Sequence, residues 1–324
     1  MQVHRFALWF SALAIGLGTM AGATAQEFPS RPVKLVMGFG PGGLGDIAGR
    51  SIAQAMTGPI GKPVIIENMP GAGGSTAAAS VARSAPDGHT MLWVSGQNAI
   101  APSMFKSLPY NWATDLTPVT TIGTFDFVIF VKKDSPLKNL RDVIAAAKKE
   151  PEKFNLGMIS AGSAQHLNAL YFSSLAGMSP TIVHFRTTGE VVTALLSDNI
   201  QVGLDTTPGV IGQIQSGVLR AIAVSSDKRV ATMPDVPTAS ESGIPEYKVT
   251  SWNGIVVPAK TPREIVMRLN RELAAAVATS DVRKRFAEIS LDPGTSTPEE
   301  LQKIYETDLE RWRKVIADAK LQPQ

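Results

Sequence analysis

Val33-Lys34-Leu35-Val36-Met37-Gly38-Phe39-Gly40-Pro41-Gly42-Gly43-Leu44-Gly45-Asp46 opens on a short apolar run rich in valine, crosses a loop containing five glycines, and ends on an acid. From Asp46 to Met56 the apolar positions then take helical spacing. A strand that feeds a helix through a glycine-rich loop is the opening unit of an α/β fold. Val64-Ile65-Ile66-Glu67 reads as the next strand, Ser75 to Arg83 as a helix after another glycine-rich turn, and Thr90-Met91-Leu92-Trp93-Val94 as a third strand. Apolar strands in this βαβαβ rhythm predict a parallel sheet covered on both faces.

The rhythm then repeats. Phe127 to Lys132 is a strand and Leu140 to Lys149 a helix with one apolar and one charged face. Phe154 to Met158 precedes a helix from about 164 to 175, and Thr181 to Phe185 precedes another from about 190 to 197. Val202 to Asp205 and Leu219 to Val224 are further strands. Tyr247 to Val257 reads as extended, followed by a helix over 262–279 opened by Thr261. A last helix is opened by Thr297-Pro298-Glu299-Glu300, where a Thr cap, a Pro that needs no N–H and acids at the positive helix end agree. Two successive α/β units imply two lobes, with glycine and proline punctuating the crossings near Pro118 to Asp126 and Gly243 to Tyr247.

Upstream of the first strand, Phe6 to Met20 carries no charge and Ala23-Thr24-Ala25 follows it. The apolar stretch is short for a membrane span, and alanines at positions 23 and 25 suit signal peptidase, so residues 1–25 are expected to be a cleaved export signal. The 324-residue chain has no cysteine, which excludes disulfides and thiolate chemistry. Its four histidines are widely spaced, with no metal-binding motif, so neither a metal nor a cofactor is expected. A net charge of +3, with no basic stripe interleaved with aromatics, does not point to nucleic acid.

Ligands of open α/β sheets sit beyond the C-terminal ends of the strands. The loop from Gly38 to Asp46 lets the backbone approach a guest and offers helix N–H groups to an anion; the competing reading is a tight turn that only starts a helix. It has no Gly-Lys-Ser/Thr, so it is no phosphate P-loop, and Pro41 interrupts a dinucleotide fingerprint. In the second such loop Ser160, Gly162 and Ser163 are candidates, Ser163 either capping the helix or donating to a ligand. His166, in the first helical turn, is expected to be neutral and structural. Thr187 and Thr188 offer hydroxyls and amides, with Glu190 assigned to the helix cap. Asp205 either accepts from a ligand or ties its own loop, and both readings stay open. Ser95 and Gln97 add neutral polar contacts. No GxSxG elbow or carboxylate pair supports catalysis.

Several ordered motifs are similar to one family. They are Phe28-Pro29-Ser30-Arg31-Pro32-Val33, Gly42-Gly43 with Asp46, Glu67-Asn68-x-Pro70-Gly71-Ala72-Gly73-Gly74, Ala85-Pro86-Asp87-Gly88-His89-Thr90, Asp235-Val236-Pro237-Thr238, Glu241-x-Gly243-Ile244-Pro245 and Arg311-Trp312. Together they make the chain resemble the periplasmic solute receptors of tripartite tricarboxylate transporters, the Bug group first noticed in Bordetella. The resemblance implies a two-lobed, type II-like Venus-flytrap binding protein with a ligand cleft between lobes. Residues 26–125 and 247–324 would form lobe 1, and residues 126–246 lobe 2. It further implies a periplasmic, monomeric receptor that delivers a small carboxylate to membrane permease subunits. The alternatives are an exported enzyme acting on a small carboxylate or a ligand-presenting sensor partner. By position it points to Gly42, Gly43, Asp46, Gly162, Ser163 and Asp205 as ligand residues. The chain departs from the family pattern at Gly45, where a hydroxyl residue is usual. It departs again at Phe185-Arg186-Thr187, Ser160 and Ala101. Apart from Ala101 these departures fall in ligand loops, so they bear on ligand class and not on fold.

Overall fold

The computed structural model of the chain describes residues 28–42, 44–159 and 163–323; the expected export signal lies outside them. The run quoted first becomes β1 (Val33–Met37) and α1 (Leu44–Ile60). The helix starts two residues ahead of Asp46 because that acid sits in the first turn and accepts from Gly42 N–H. β2 (Val64–Asn68), α2 (Ser75–Ala82) and β3 (Thr90–Ser95) follow, and β2, β1 and β3 pair in parallel. Two short helices, α3 (Gln97–Met104) and α4 (Trp112–Asp115), then lead into β4 (Leu116–Lys132).

β4 corrects the expectation of a strand limited to 127–132. It is one 17-residue strand that runs through the expected crossing near Pro118 to Asp126. Its first part pairs with β9 (Thr250–Pro258) and its last part with β7 (Val202–Thr206) and β8 (Leu219–Val224), all antiparallel. Register shifts between Pro118 and Thr120 and between Thr121 and Gly123 accommodate the two residues that read as breakers. Gly123 has a packing reason as well. A Cβ there would stand 2.7 Å from the carbonyl oxygen of Asp292, in the short strand β10 (Asp292–Pro293) that pairs beside it.

The second half contains α5 (Leu140–Lys149), β5 (Asn155–Ile159), α6 (Ala164–Ala176), β6 (Thr181–Phe185), α7 (Thr188–Leu196) and α8 (Thr207–Gln215). The path through the whole sheet is β2-β1-β3-β9-β4-β7-β5-β6, with β8 and β10 flanking β4. The chain ends in α9 (Arg263–Ala278), α10 (Ser280–Glu288) and α11 (Pro298–Asp318). The Thr297–Glu300 capping box opens α11 as expected. Thr261, by contrast, does not cap α9: its hydroxyl closes a turn onto the Pro258 carbonyl at 2.7 Å, and the N-cap position falls to Pro262.

Among the described residues, three apolar clusters hold the sheet. One joins β1, β3 and α1 to α9 and α10 through residues such as Met37, Ile52, Leu269 and Phe286. A second lies wholly within the other half, around Val128, Phe130, Val191 and Leu195. The third spans both halves beneath α6 and α11 and contains Phe172, Tyr247, Trp252 and Trp312. At the junction, Thr250 Oγ1 donates to Asp126 Oδ1 at 2.8 Å and Thr207 Oγ1 to the Asp126 carbonyl at 3.0 Å, tying β9 and α8 to β4. Among the described residues, no helix is long and apolar enough to cross a membrane.

Candidate ligand-binding cleft

The C-terminal ends of β1, β2 and β3 in one half face the same junction as those of β5, β6 and β7 in the other, so six strand-end loops converge there. In the first half, Gly38 and Gly74 bring two of these loops into backbone contact: a Cβ on Gly38 would lie 2.6 Å from the Gly74 Cα. Around them is a cavity of about 230 Å³, walled by Phe39 and Trp93 and rimmed by Ser95, Gln97 and Asn98. Larger cavities of about 650 and 790 Å³ lie along α11 and include no residue of the six loops. Lys248, Arg311 and Lys314 there are paired with Asp227, Asp308 and Asp318, and the smaller cavity is the candidate because strand-end loops build it.

Asp46 is buried and serves its own loop. Its carboxylate accepts from Gly42 N–H, from Arg50 Nε at 2.9 Å and Nη2 at 3.0 Å, and from Asn68 Nδ2 at 3.0 Å. The Arg50 guanidinium lowers its pKa to about 2, opposed by burial and helped by the Gly42 and Asn68 N–H groups. Asn68 also donates to the Phe39 carbonyl, so β2 clamps both ends of the glycine loop. The Gly42 amide and Asp46 carboxylate therefore bond to each other and hold the loop. Ser95 and Gln97 lie at the cavity rim, where Asn98 Oδ1 holds the Ser95 N–H at 3.0 Å.

In the second half three helix starts meet at Asp205. This residue is 1% exposed; its Oδ1 accepts from Gln165 Nε2 at 3.0 Å and from Thr206 N at 2.7 Å, and its Oδ2 from Thr188 Oγ1 at 2.6 Å. One carboxylate thus knots the starts of α6, α7 and α8, whose positive ends compensate its charge. Ser163 caps α6 by accepting from His166 N while donating to the Ile159 carbonyl, and Thr187 caps α7 by accepting from Glu190 N. Glu190 in turn accepts from Arg186 N, the capping role expected of it. His166 is buried edge-to-face against His184, and burial, then the neighbouring ring, lower its pKa to about 4. Gly43, Ser160 and Gly162 lie outside the described residues.

The structure thus brings Thr188 and Asp205 into one network, sets Ser163 and Thr187 at the adjoining helix starts, and sets Ser95 and Gln97 beside a separate glycine floor. Sequence reasoning did not single out Phe39, Trp93, Gln165 or Gly74 as cleft residues. For Gln165 a signal existed, since it stands in the first turn of a helix that starts at a strand end. For Phe39 and Trp93, an aromatic in a loop or strand carries no mark that separates core from cleft. Among the described residues, no group of three or more His, Asp or Glu side chains is placed to hold a metal ion.

A mixed sheet whose halves share crossing strands, with a loop-built cleft at the crossing, defines a periplasmic binding protein of the type II class. Residues 48–321 match the family described as "Tripartite tricarboxylate transporter family receptor". The BugT protein of Bordetella pertussis is 31% identical over 303 residues, which cover 93% of this chain and 93% of BugT. Among solved structures, MatC of Rhodopseudomonas palustris with bound malate has a TM-score of 0.74 at 31% identity, covering 89% of this chain and all of that one. Rpa4515 of R. palustris with adipate has a TM-score of 0.79 at 29% identity, covering 92% and 100%. The chain belongs to the tripartite tricarboxylate transporter receptor family. It is a periplasmic solute receptor.

Proposed function

We propose that this receptor captures a small carboxylate between the glycine floor of its first half and the Asp205 knot of its second, and presents it to a tripartite-type membrane permease. The observation that carries this reading is the convergence of three helix starts on one buried carboxylate opposite an uncharged cavity. Helix-start N–H groups beyond those that Asp205, Ser163 and Thr187 engage suit an anionic head group, held by directed hydrogen bonds that offset its repulsion from Asp205. Malate in MatC and adipate in Rpa4515, both carboxylates, support the same ligand class. Residues 26–125 with 247–324 act as one lobe and 126–246 as the other. Two apolar clusters, each confined to one of these segments, support that division. Ser95 and Gln97 contact the ligand from lobe 1. Thr187, Thr188 and Ser163, with Ser160 and Gly162, frame it from lobe 2, while Gly42, Gly43 and Asp46 shape the first loop.

Closure follows from differential binding. A ligand that touches both lobes stabilises the closed form, and the permease reads that form. A thermal-shift screen of the purified protein over mono-, di- and tricarboxylates tests the reading, followed by solution scattering with the best ligand. Stabilisation by a carboxylate with compaction is expected; a flat screen, or saturation without compaction, counts against it. Accumulation of a chemically altered product would point instead to an enzyme.

A further inference from the structure

The ring of Phe39 rests on bare helix backbone. A Cβ on Gly45 would overlap Phe39 Cζ and stand 2.8 Å from Cε2, closer than real Cβ atoms come. One helical turn on, a Cβ on Gly49 would stand 2.9 Å from Met37 Sδ. Positions 45 and 49 are four apart and share one face of α1. Two glycines there cut a groove, with Phe39 seated at its open end and Met37 at its buried end. Trp93 packs beside the same groove, its Cε3 being 3.7 Å from the Cβ position at Gly49, and its Nε1 donates to buried Asn253 Oδ1 at 3.0 Å. The tryptophan is thereby fixed in orientation, and the phenylalanine is held by the absence of a side chain beneath it.

These two rings wall the first-half cavity, and among the described residues none of those lining it carries a charge. Asn98 has its amide engaged with the Ser95 N–H and the Tyr110 hydroxyl. Ser95 and Gln97 offer polar atoms at the rim, so a hydroxyl on the part of the ligand body pressed between the two rings loses water without partners of its own there, whereas a hydrocarbon body gains by burial. We propose that Phe39, seated on Gly45, is a specificity-determining residue that matches this receptor to carboxylates with an unsubstituted hydrocarbon body, a methylene chain or an aromatic ring, over hydroxylated acids. The proposal rests on the carboxylate reading given under Proposed function.

Titration calorimetry on the purified protein with adipate, phenylacetate, malate and citrate tests it. Adipate or phenylacetate is expected to bind at least about tenfold more tightly than malate or citrate, the range a few methylene contacts supply. Which of the two binds tells chain from ring. Phe39→Ala introduces no clash and is expected to remove most of that preference. Gly45→Ala, which drives the ring from its seat, is expected to do the same with an unchanged far-ultraviolet circular dichroism spectrum. Equal affinity for adipate, phenylacetate and malate, or a preference that survives Phe39→Ala, overturns the proposal while leaving a carboxylate receptor in place. Binding of none of the four overturns the carboxylate reading and the proposal with it.

Discussion

Thr188 Oγ1 donates to Asp205 Oδ2 at 2.6 Å, joining the start of α7 to the end of β7 across 17 residues of chain. The other oxygen of the same carboxylate holds Gln165 and the Thr206 N–H. The relationship settles what one buried acid does in the resting protein: it sets the spacing of three loops.

Removing that acid is expected to act on all three loops together. Asp205→Ala orphans two side-chain donors and a backbone N–H, and is expected to lower unfolding free energy by about 2–3 kcal/mol and ligand affinity by tenfold or more. Thr188→Val, which deletes one bond and keeps the shape, is expected to cost about 1 kcal/mol. Denaturant unfolding and calorimetry check both. A loss of stability with unchanged affinity in Asp205→Ala would assign the residue to the fold alone.

Asp46 predicts an acid-labile first loop. Its folded pKa, about 2, lies below the ordinary value of 3.8, so the folded state binds fewer protons than the unfolded chain between those values. The stability it confers is fully present above pH 4 and is lost as pH falls through the folded pKa. Chemical denaturation across this window is expected to show a shallower pH slope for Asp46→Asn than for the native protein, from a lower starting stability.

His166 acts in a higher window. Burial and the nearby His184 ring hold its pKa at about 4, below the ordinary 6.5. The unfolded chain therefore takes up the proton first, and stability falls as pH drops from 6.5 towards 4. His166→Gln is expected to flatten that part of the profile. An unchanged slope would show that the ring does not stay neutral in the fold.

A fourth expectation concerns the third core cluster. Trp252 Nε1 donates to Asp308 Oδ2 at 2.8 Å and Arg311 Nη1 to Asp308 Oδ1 at 2.8 Å, fastening α11 to crossing strand β9. Trp252 and Asp308 are both buried. Asp308→Ala leaves an indole N–H without its acceptor and is expected to lower the denaturant midpoint by the equivalent of about 2–3 kcal/mol. Asp308→Asn keeps an acceptor and is expected to lose less.

Much of the fold was legible because its signals are local. The apolar run from Val33 to Met37, the amphipathic stretch from Leu140 to Lys149 and the Thr297–Glu300 capping box each declare themselves within a few residues. Signals that depend on a partner were not. Pro118 and Gly123 read as breakers, and only pairing with β9 and β10 makes them part of one strand. The helices α3, α8 and α10 escaped notice for related reasons. Gln97 and Thr207 sit where a strand-end loop was expected, and α10 is short and rich in charge.

The sequence by itself determined the α/β rhythm, the glycine-rich loops at the strand ends, and the family to which those motifs belong. Tertiary structure alone decided how individual side chains are used. Asp46 and Asp205 have the same chemistry, one in the first turn of α1 and the other at the end of β7. One is closed by Arg50 and Asn68, and the other by Gln165 and Thr188. The seat of Phe39 on Gly45 was decided in the same way, by a ring folding back onto a helix face. The physical reason is common to all three. A hydrogen bond or a ring contact acts over a few ångströms of space, and the chain reveals its partners only after it has folded.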